Sequence, residues 1–282
     1  MKFTKMESYG NDYIYIDAIN QKLSNLNTLA KLLSKYHYGI GSDGLVLICS
    51  SDKADFKMRI FNKDGTEAQM CGNALRSVGK FVYEHKLTNK TKLEIETLGG
   101  IKKIELIIQN DKVIDIVAYI GKPILKSKLI PVKSKNKKFL LERYKILDKE
   151  FELSSLSWGN PHTVIFTSDI NKLDINKYGP VIETLDIFPE KTNVTFAQII
   201  NRKKIKIKEW ERGCGETLGC ATGCASAVVI ANILNLVDNE VDVEQPGGII
   251  KIKYTKKGLY MKGPSNTVFE GTIDVDYLMK GV

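Results

Sequence analysis

Glu67-Ala68-Gln69-Met70-Cys71-Gly72-Asn73 and Glu216-Thr217-Leu218-Gly219-Cys220-Ala221-Thr222 are two versions of one segment, 149 residues apart. In each, an acidic residue precedes a cysteine by four positions, and the cysteine opens a small-residue stretch that reads as a helix. The same offset lays Gly10-Asn11 on Gly159-Asn160 and Asn62 on Glu211, and Gly99-Gly100 falls on Gly247-Gly248 after a one-residue slip. The pattern is that of a duplicated half-site, with one thiol in each half. Two thiols at one carbon, one removing a proton from one face and the other returning a proton to the opposite face, are what a cofactor-free racemase or epimerase requires.

Working outward, the 282 residues are 43% hydrophobic, enough for one large core or two modest ones, and the duplication favours two. β-rich runs bounded by turn residues recur in both halves: 13–16, 45–49, 56–61, 92–97, 101–108 and 113–120, then 162–166, 194–200, 204–210, 241–244, 249–254, 259–262 and 268–273. After Cys71, the residues Ala74, Leu75, Val78, Phe81 and Val82 recur at helical spacing while Arg76, Lys80 and Glu84 fall elsewhere, so this helix is expected to pack on one side. After Cys220, residues 224–234 are small or apolar on nearly every face, so that helix is expected inside a wrapping sheet. Gly121-Lys122-Pro123 marks the expected hinge. The first half is therefore drawn as residues 1–120 with 270–282, and the second as 121–269.

Composition excludes several functions. Residues 1–12 carry charges and a Gly-Asn-Asp turn instead of an apolar run, so no signal peptide is expected and the protein is expected in the cytoplasm. Residues 225–234 are too short an apolar stretch to span a membrane. The net charge of +9 invites a nucleic-acid partner, but Arg202-Lys203-Lys204-Ile205-Lys206-Ile207-Lys208 alternates with period two like the solvated face of a strand. No aromatic residues interleave it for base stacking, and nucleic-acid binding is not expected. Five cysteines make an odd count, which argues against a disulfide framework. Cys49 and Cys224 read as small buried hydrophobes. Cys214, Cys220, Cys224 and His162 lack a known zinc spacing, so no metal is expected.

A carbanion next to an amino-acid carboxylate needs its growing negative charge held. The two helix starts, Cys71-Gly72-Asn73 and Cys220-Ala221-Thr222, offer free N–H groups and positive dipole ends for that task. The same placement is expected to lower each thiol's pKa. Glu211 and Arg212 form an adjacent pair of opposite charge just upstream of Cys220, with Asn62 at the matching place in the first half. Such groups suit a second amino-acid head group, the guanidinium gripping a carboxylate and the carboxylate an ammonium.

These residues carry a resemblance. Gly10-Asn11-Asp12, Asn62-Lys63-Asp64-Gly65, Cys71-Gly72-Asn73, Gly159-Asn160-Pro161-His162, Asn193, Glu211-Arg212-Gly213, Gly215-Glu216-Thr217, Pro246-Gly247-Gly248 and Phe269-Glu270-Gly271 together resemble the diaminopimelate epimerases, of the cofactor-independent two-cysteine racemase superfamily, over nearly the whole chain. The resemblance implies an α/β (α+β) fold of two pseudo-symmetric domains. Each is a β-barrel-like sheet wrapped around a central helix, with the substrate in an interdomain cleft. It implies Cys71 and Cys220 as the acid/base pair, with no cofactor and no metal. It gives Gly72, Asn73, Ala221 and Thr222 the reacting carboxylate, and Asn11, Asn62, Asn160, Asn193, Glu211 and Arg212 the rest of the substrate. His162 and Glu211 take positions that tune the thiols, and Phe269 a position at a homodimer contact. Departures from the family pattern are Glu7 and Ser8 for His and Gly, Ala74 and Ala221 for glycines, Thr163 for Cys, and Gly44 for a frequent Gln. They leave open a close analogue such as lanthionine, or a single-headed amino acid, as the substrate.

Overall fold

The structure, a computed structural model, describes Met1–Lys280. Residues 281 and 282 of the expected first half lie outside the described residues. Two compact units emerge, Met1–Tyr119 with Lys262–Val282, and Ile120–Met261.

The first unit comprises β1 (Lys2–Ser8), β2 (Asn11–Asp17), α1 (Leu26–Ser34), β3 (Gly44–Cys49), β4 (Phe56–Asn62), β5 (Glu67–Ala68), α2 (Gly72–Glu84), β6 (Lys92–Glu96), β7 (Lys102–Gln109) and β8 (Lys112–Gly121). β1 is antiparallel to β2, β2 parallel to β3, and β3 antiparallel to β4. β4 then pairs antiparallel with the short β5 and parallel with β6, which is antiparallel to β7.

The second unit holds β9 (Glu142–Ile146), β10 (Lys149–Ser157), β11 (Pro161–Phe166), α3 (Ile175–Glu183), β12 (Asn193–Asn201), β13 (Lys204–Glu211), β14 (Gly215–Thr217), α4 (Ala221–Ile233), β15 (Glu240–Gln245), β16 (Gly248–Thr255) and β17 (Gly258–Gly263). It repeats the plan strand for strand. β10 is antiparallel to β11, β11 parallel to β12, and β12 antiparallel to β13. β13 pairs antiparallel with the short β14 and parallel with β15, and β15 is antiparallel to β16. The duplication inferred from one sequence offset is therefore a duplication of topology.

After β17 come β18 (Asn266–Thr272) and α5 (Val275–Met279). β18 runs antiparallel to β1, from Lys2 opposite Thr272 to Glu7 opposite Asn266, and residues 262–269 belong with the first unit and not with the second, where the expected boundary had put them.

In each unit one helix covers the outer face of the sheet and one fills the inner face. Outside, Leu29, Ala30 and Leu33 of α1 pack on Ile14, Ile16, Leu45 and Leu47. Likewise Ile175, Tyr178 and Ile182 of α3 pack on Ile165, Val194 and Phe196. Inside, α4 touches β10, β11, β12, β13, β15 and β16, and its residues from Gly223 to Ala231 are all buried. An apolar helix with no polar face fits that enclosure, as expected.

α2 departs from expectation. Instead of packing on one side, it is buried from Gly72 to Val82, Arg76 and Lys80 included. Internal partners make this tolerable. Arg76 donates to Asn73 Oδ1 at 2.6 Å, to Ser8 Oγ at 2.8 Å and to the Gly72 carbonyl at 3.3 Å, and its guanidinium lies over the Tyr9 ring. Lys80 donates to Glu84 at 2.7 Å and to the Val113 carbonyl at 3.0 Å. A buried cation held by several acceptors avoids most of the desolvation cost that an unpaired one suffers.

Candidate active site

Each half-site is built on the loop that joins a short strand to an inner helix. In the first unit, Cys71 is the extended residue just before α2, and its carbonyl accepts the first helical bond, from Leu75 N at 2.9 Å. Its thiol donates to Asn11 Oδ1 at 3.5 Å, and the same oxygen receives the amide of Asn73 at 3.4 Å. Asn11 is itself fixed from below, because its Nδ2 donates to Asp43 at 2.8 Å. The Asp43 carboxyl is pushed above the usual carboxylate range by burial, against the lowering effect of the Asn11 bond. Burial likewise pushes the Tyr13 phenol up, reinforced by the nearby Cys71.

Three of the residues that depart from the resemblance have structural employment here. Glu7 accepts from Gly10 N at 3.1 Å and from Asn266 Nδ2 at 2.6 Å, bracing the Tyr9-Gly10 turn, where both residues have positive φ. Ser8 accepts from Arg76 and donates to the Pro264 carbonyl at 2.9 Å. Gly44 lies across the sheet from Asn62, and a Cβ there would stand 2.0 Å from the Phe61 carbonyl oxygen, so the close strand approach requires glycine. Asn62 donates to Thr66 Oγ1 at 3.0 Å within the β4–β5 turn.

In the second unit, Cys220 occupies the matching place before α4, and here the sulfur does cap the helix, accepting from Gly223 N at 3.4 Å. Thr222 Oγ1 lies 3.4 Å from the same sulfur. Ala221 is buried beside it. Glu211 accepts from Thr217 at 2.7 Å. Asn193 bridges the chain, accepting from Arg212 N at 3.0 Å and donating to the Pro161 carbonyl at 2.9 Å. The Arg212 guanidinium donates to the Glu190 carbonyl at 2.8 Å. Asn160 sits in the turn between β10 and β11, where its carbonyl accepts from Trp158 N at 3.3 Å.

The expectation that both helix starts lower their thiols fails at Cys220. Burial raises this thiol well above its ordinary pKa, and the Glu211 charge raises it further, as Glu209 does when ionised, outweighing the lowering by Thr222 and by the Gly223 N–H. Desolvation defeats the dipole because the sulfur is enclosed. His162 is fully buried on β11, and burial, aided by the Arg212 charge, lowers its pKa to about 3, so the ring is neutral. The acidic residues four positions before each cysteine point elsewhere. Glu67 takes a bidentate grip from Arg59, at 2.8 and 2.9 Å, and Glu216 accepts from Asn176 at 3.0 Å.

The structure thus gathers Cys71, Gly72, Asn73 and Asn11 in one unit, and Cys220, Ala221, Thr222, Glu211, Asn193 and Arg212 in the other. Phe269 lies apart on β18, 44% exposed, edge-on to Phe3. A concavity of about 950 Å³ in the first unit, lined by Lys2, Thr4, Tyr15, His85 and Glu270 among others, contains none of these site residues. Among the described residues no three His, Cys, Asp or Glu side chains gather as metal ligands. Nor is any described helix long and apolar enough to cross a membrane.

One buried group escaped the sequence reading. Glu209 is inside, 1% exposed, beneath the start of α4. The signal was present, since the alternation that turns Lys204, Lys206 and Lys208 outward turns Ile205, Ile207 and Glu209 inward.

Solved structures share this architecture. A "probable proline racemase" from Agrobacterium radiobacter matches with a TM-score of 0.71 at 12% identity, covering 98% of this chain and 93% of that one. A phenazine biosynthesis protein of the PhzF family from Bacillus anthracis matches at 0.69 and 17%, covering 97% and 99%. At these identities the likeness is one of fold. Sequence narrows it. The family model described as diaminopimelate epimerase matches residues 3–126 and 154–268. The diaminopimelate epimerase of Methanococcus maripaludis is 49% identical over 278 residues, 98% of this chain and 100% of that one. That of Acetivibrio thermocellus is 45% identical over 281 residues, 99% and 100%. The chain belongs to the diaminopimelate epimerase family, and it is an isomerase.

Proposed function

We propose that this protein converts LL-2,6-diaminopimelate into the meso isomer by two-base proton transfer at one α-carbon, without a cofactor. One cysteine, as thiolate, takes the α-proton. The other, as thiol, delivers its proton to the opposite face, and the reverse reaction exchanges the roles. Proton count is conserved, since one sulfur gains what the other loses. Gly72, Asn73, Ala221 and Thr222 hold the reacting carboxylate at the two helix starts, where N–H groups meet its growing charge. Asn11, Asn62, Asn160, Asn193, Glu211 and Arg212 hold the remainder of the substrate, most of them at the distal head group. His162 and Glu211 set the thiols' protonation. The protein works in the cytoplasm, supplying lysine and cell-wall precursors, as a homodimer whose contact includes Phe269, supported by the exposure of Val268 and Phe269 on β18.

The observation that carries the reading is the repetition of one device in both units, a cysteine at the extended residue before an inner helix, in a chain of this family. Incubation with LL-diaminopimelate in deuterated water tests it. Deuterium enters the α-position as the meso isomer forms, and if exchange occurs instead with lanthionine or a single-headed amino acid, the substrate assignment is wrong.

A further inference from the structure

Glu209 and His162 form a buried pair whose hydrogen bonding is unfinished. The carboxyl lies 3.9 Å from His162 Nδ1, and both side chains are essentially sealed from solvent. Neither ring nitrogen of His162 has a hydrogen-bond partner among the described residues, and the Glu209 carboxyl is approached by the hydroxyl of Thr195, directly across the sheet, whose influence favours the charged form. Buried polar atoms rarely stand this way in native proteins without a task.

Position supplies the task. A Cβ placed on Gly223 would meet the Glu209 carboxyl atoms at 2.4 to 2.5 Å, so that carboxyl rests directly against the glycine whose N–H caps the Cys220 sulfur. The groups facing it are His162 from β11, Thr195 from β12, Glu211 farther along its own strand and Cys220 from α4, with Arg212, just past the strand, close enough to act on His162. Of these, Arg212 alone carries a standing positive charge. An ionised Glu209 would put a second carboxylate beside Glu211 at the spot where Cys220 must become a thiolate. Like charges in a dry site oppose one another strongly.

We infer that Glu209 acts as a neutral carboxylic acid, a positioning residue that donates its proton to His162 Nδ1 and keeps the start of α4 free of a second carboxylate charge. The inference rests on the reading of Cys220 as a proton-transfer thiol. One proton satisfies the pair. It stays on the carboxyl oxygen and the ring accepts it at Nδ1, which leaves the ring proton on Nε2. The opposite arrangement, carboxylate with imidazolium, would charge a ring that burial and Arg212 both hold neutral. The bond closes when the 3.9 Å separation contracts to a normal length of about 2.7–2.9 Å. Burial and the Glu211 charge both favour the acid form of Glu209 and outweigh the opposing effect of the Thr195 hydroxyl. Glu209 and Cys220 then titrate as a linked pair, a negative charge on either one opposing a charge on the other.

Infrared spectroscopy and site-resolved alkylation test this without any substrate, so their failure is separable from a wrong substrate assignment. At pH 8 the native protein is expected to show a carboxylic-acid C=O band that Glu209→Gln removes. Iodoacetamide alkylation of Cys220, followed by peptide mass spectrometry, is expected to agree within about twofold between the two proteins at that pH, because one neutral group replaces another. Above it, Glu209→Gln is expected to alkylate faster, having lost the second charge. Absence of a Glu209-dependent acid band, or an alkylation rate about tenfold higher in Glu209→Gln already at pH 8, corresponding to a whole pKa unit, would overturn the inference. Should Glu209→Gln not fold, Glu209→Leu removes the same band and is judged by the same two outcomes.

Discussion

The Cys71 thiol and the Asn11 amide oxygen stand 3.5 Å apart, and that oxygen also receives the side chain of Asn73. Asn11 therefore connects the sulfur to the first turn of α2, while its own amide nitrogen is tied to Asp43. At Cys220 the sulfur is an acceptor instead, from Gly223 N. The two half-sites share one topology and hold their sulfurs differently, one as a donor and one as an acceptor.

Asn11→Asp replaces the donor to Asp43 with a second carboxylate and sets negative charge beside the Cys71 sulfur. Repulsion turns the side chain away and loosens Asn73 with it. The expected outcome is a fall in kcat/KM of about 10²-fold, the scale of a misplaced positioning group. Assay of LL-diaminopimelate conversion checks it, and an unchanged rate would show that Asn11 does not position the thiol.

Gly223→Ala weighs two opposed effects. Alanine gains about 1 kcal/mol over glycine inside a helix, but its methyl would lie 2.4 Å from a Glu209 oxygen. Overpacking of this kind costs about 1–3 kcal/mol, so net destabilisation is expected. Glu209→Ala in the same chain should remove the clash. Urea denaturation of both single variants and the double variant measures the coupling, and simple additivity would contradict the contact.

The buried pair shapes the dependence of stability on pH. His162 falls from 6.5 to about 3 on folding, so its contribution is complete above pH 6.5 and is lost as pH drops toward 3. Glu209 is raised from 4.5, so its contribution is complete below pH 4.5 and is lost as pH rises toward its folded value. Between pH 4.5 and 6.5 the two cancel, because folded and unfolded pairs each hold one proton. Below that window the unfolded pair holds two protons, above it none, and stability declines on both sides by roughly 1.4 kcal/mol per pH unit. Glu209→Gln should abolish the alkaline decline and start the acid one at pH 6.5, where His162 begins to charge in the unfolded chain. Denaturation curves from pH 3.5 to 9, compared between native and variant protein, decide it.

Much of this architecture was legible from the offset between the two cysteine segments, because a topological repeat preserves the residues its turns and helix starts require. The enclosed helix α4 was readable from its lack of a polar face. α2 was not, since Arg76 and Lys80 look solvated until their acceptors on Ser8, Asn73, Glu84 and Val113 are known. β10 is missing from the runs drawn from the sequence, and its Ser154, Ser155 and Ser157, polar residues in place of an apolar run, are all buried. Their hydroxyls find partners at Leu141 N, Thr163 and Gly159 N, which only tertiary structure supplies. The direction of the Cys220 shift was misjudged for a similar reason, since burial depth at a helix start is invisible in sequence.

The central claim is that each sulfur serves one face of the same carbon. Separate Cys71→Ser and Cys220→Ser proteins, assayed for conversion of LL- to meso-diaminopimelate, test it most directly. Both are expected to lose conversion by at least about 10³-fold, as when one member of a unit that acts jointly is removed. Full turnover in either variant would contradict the account.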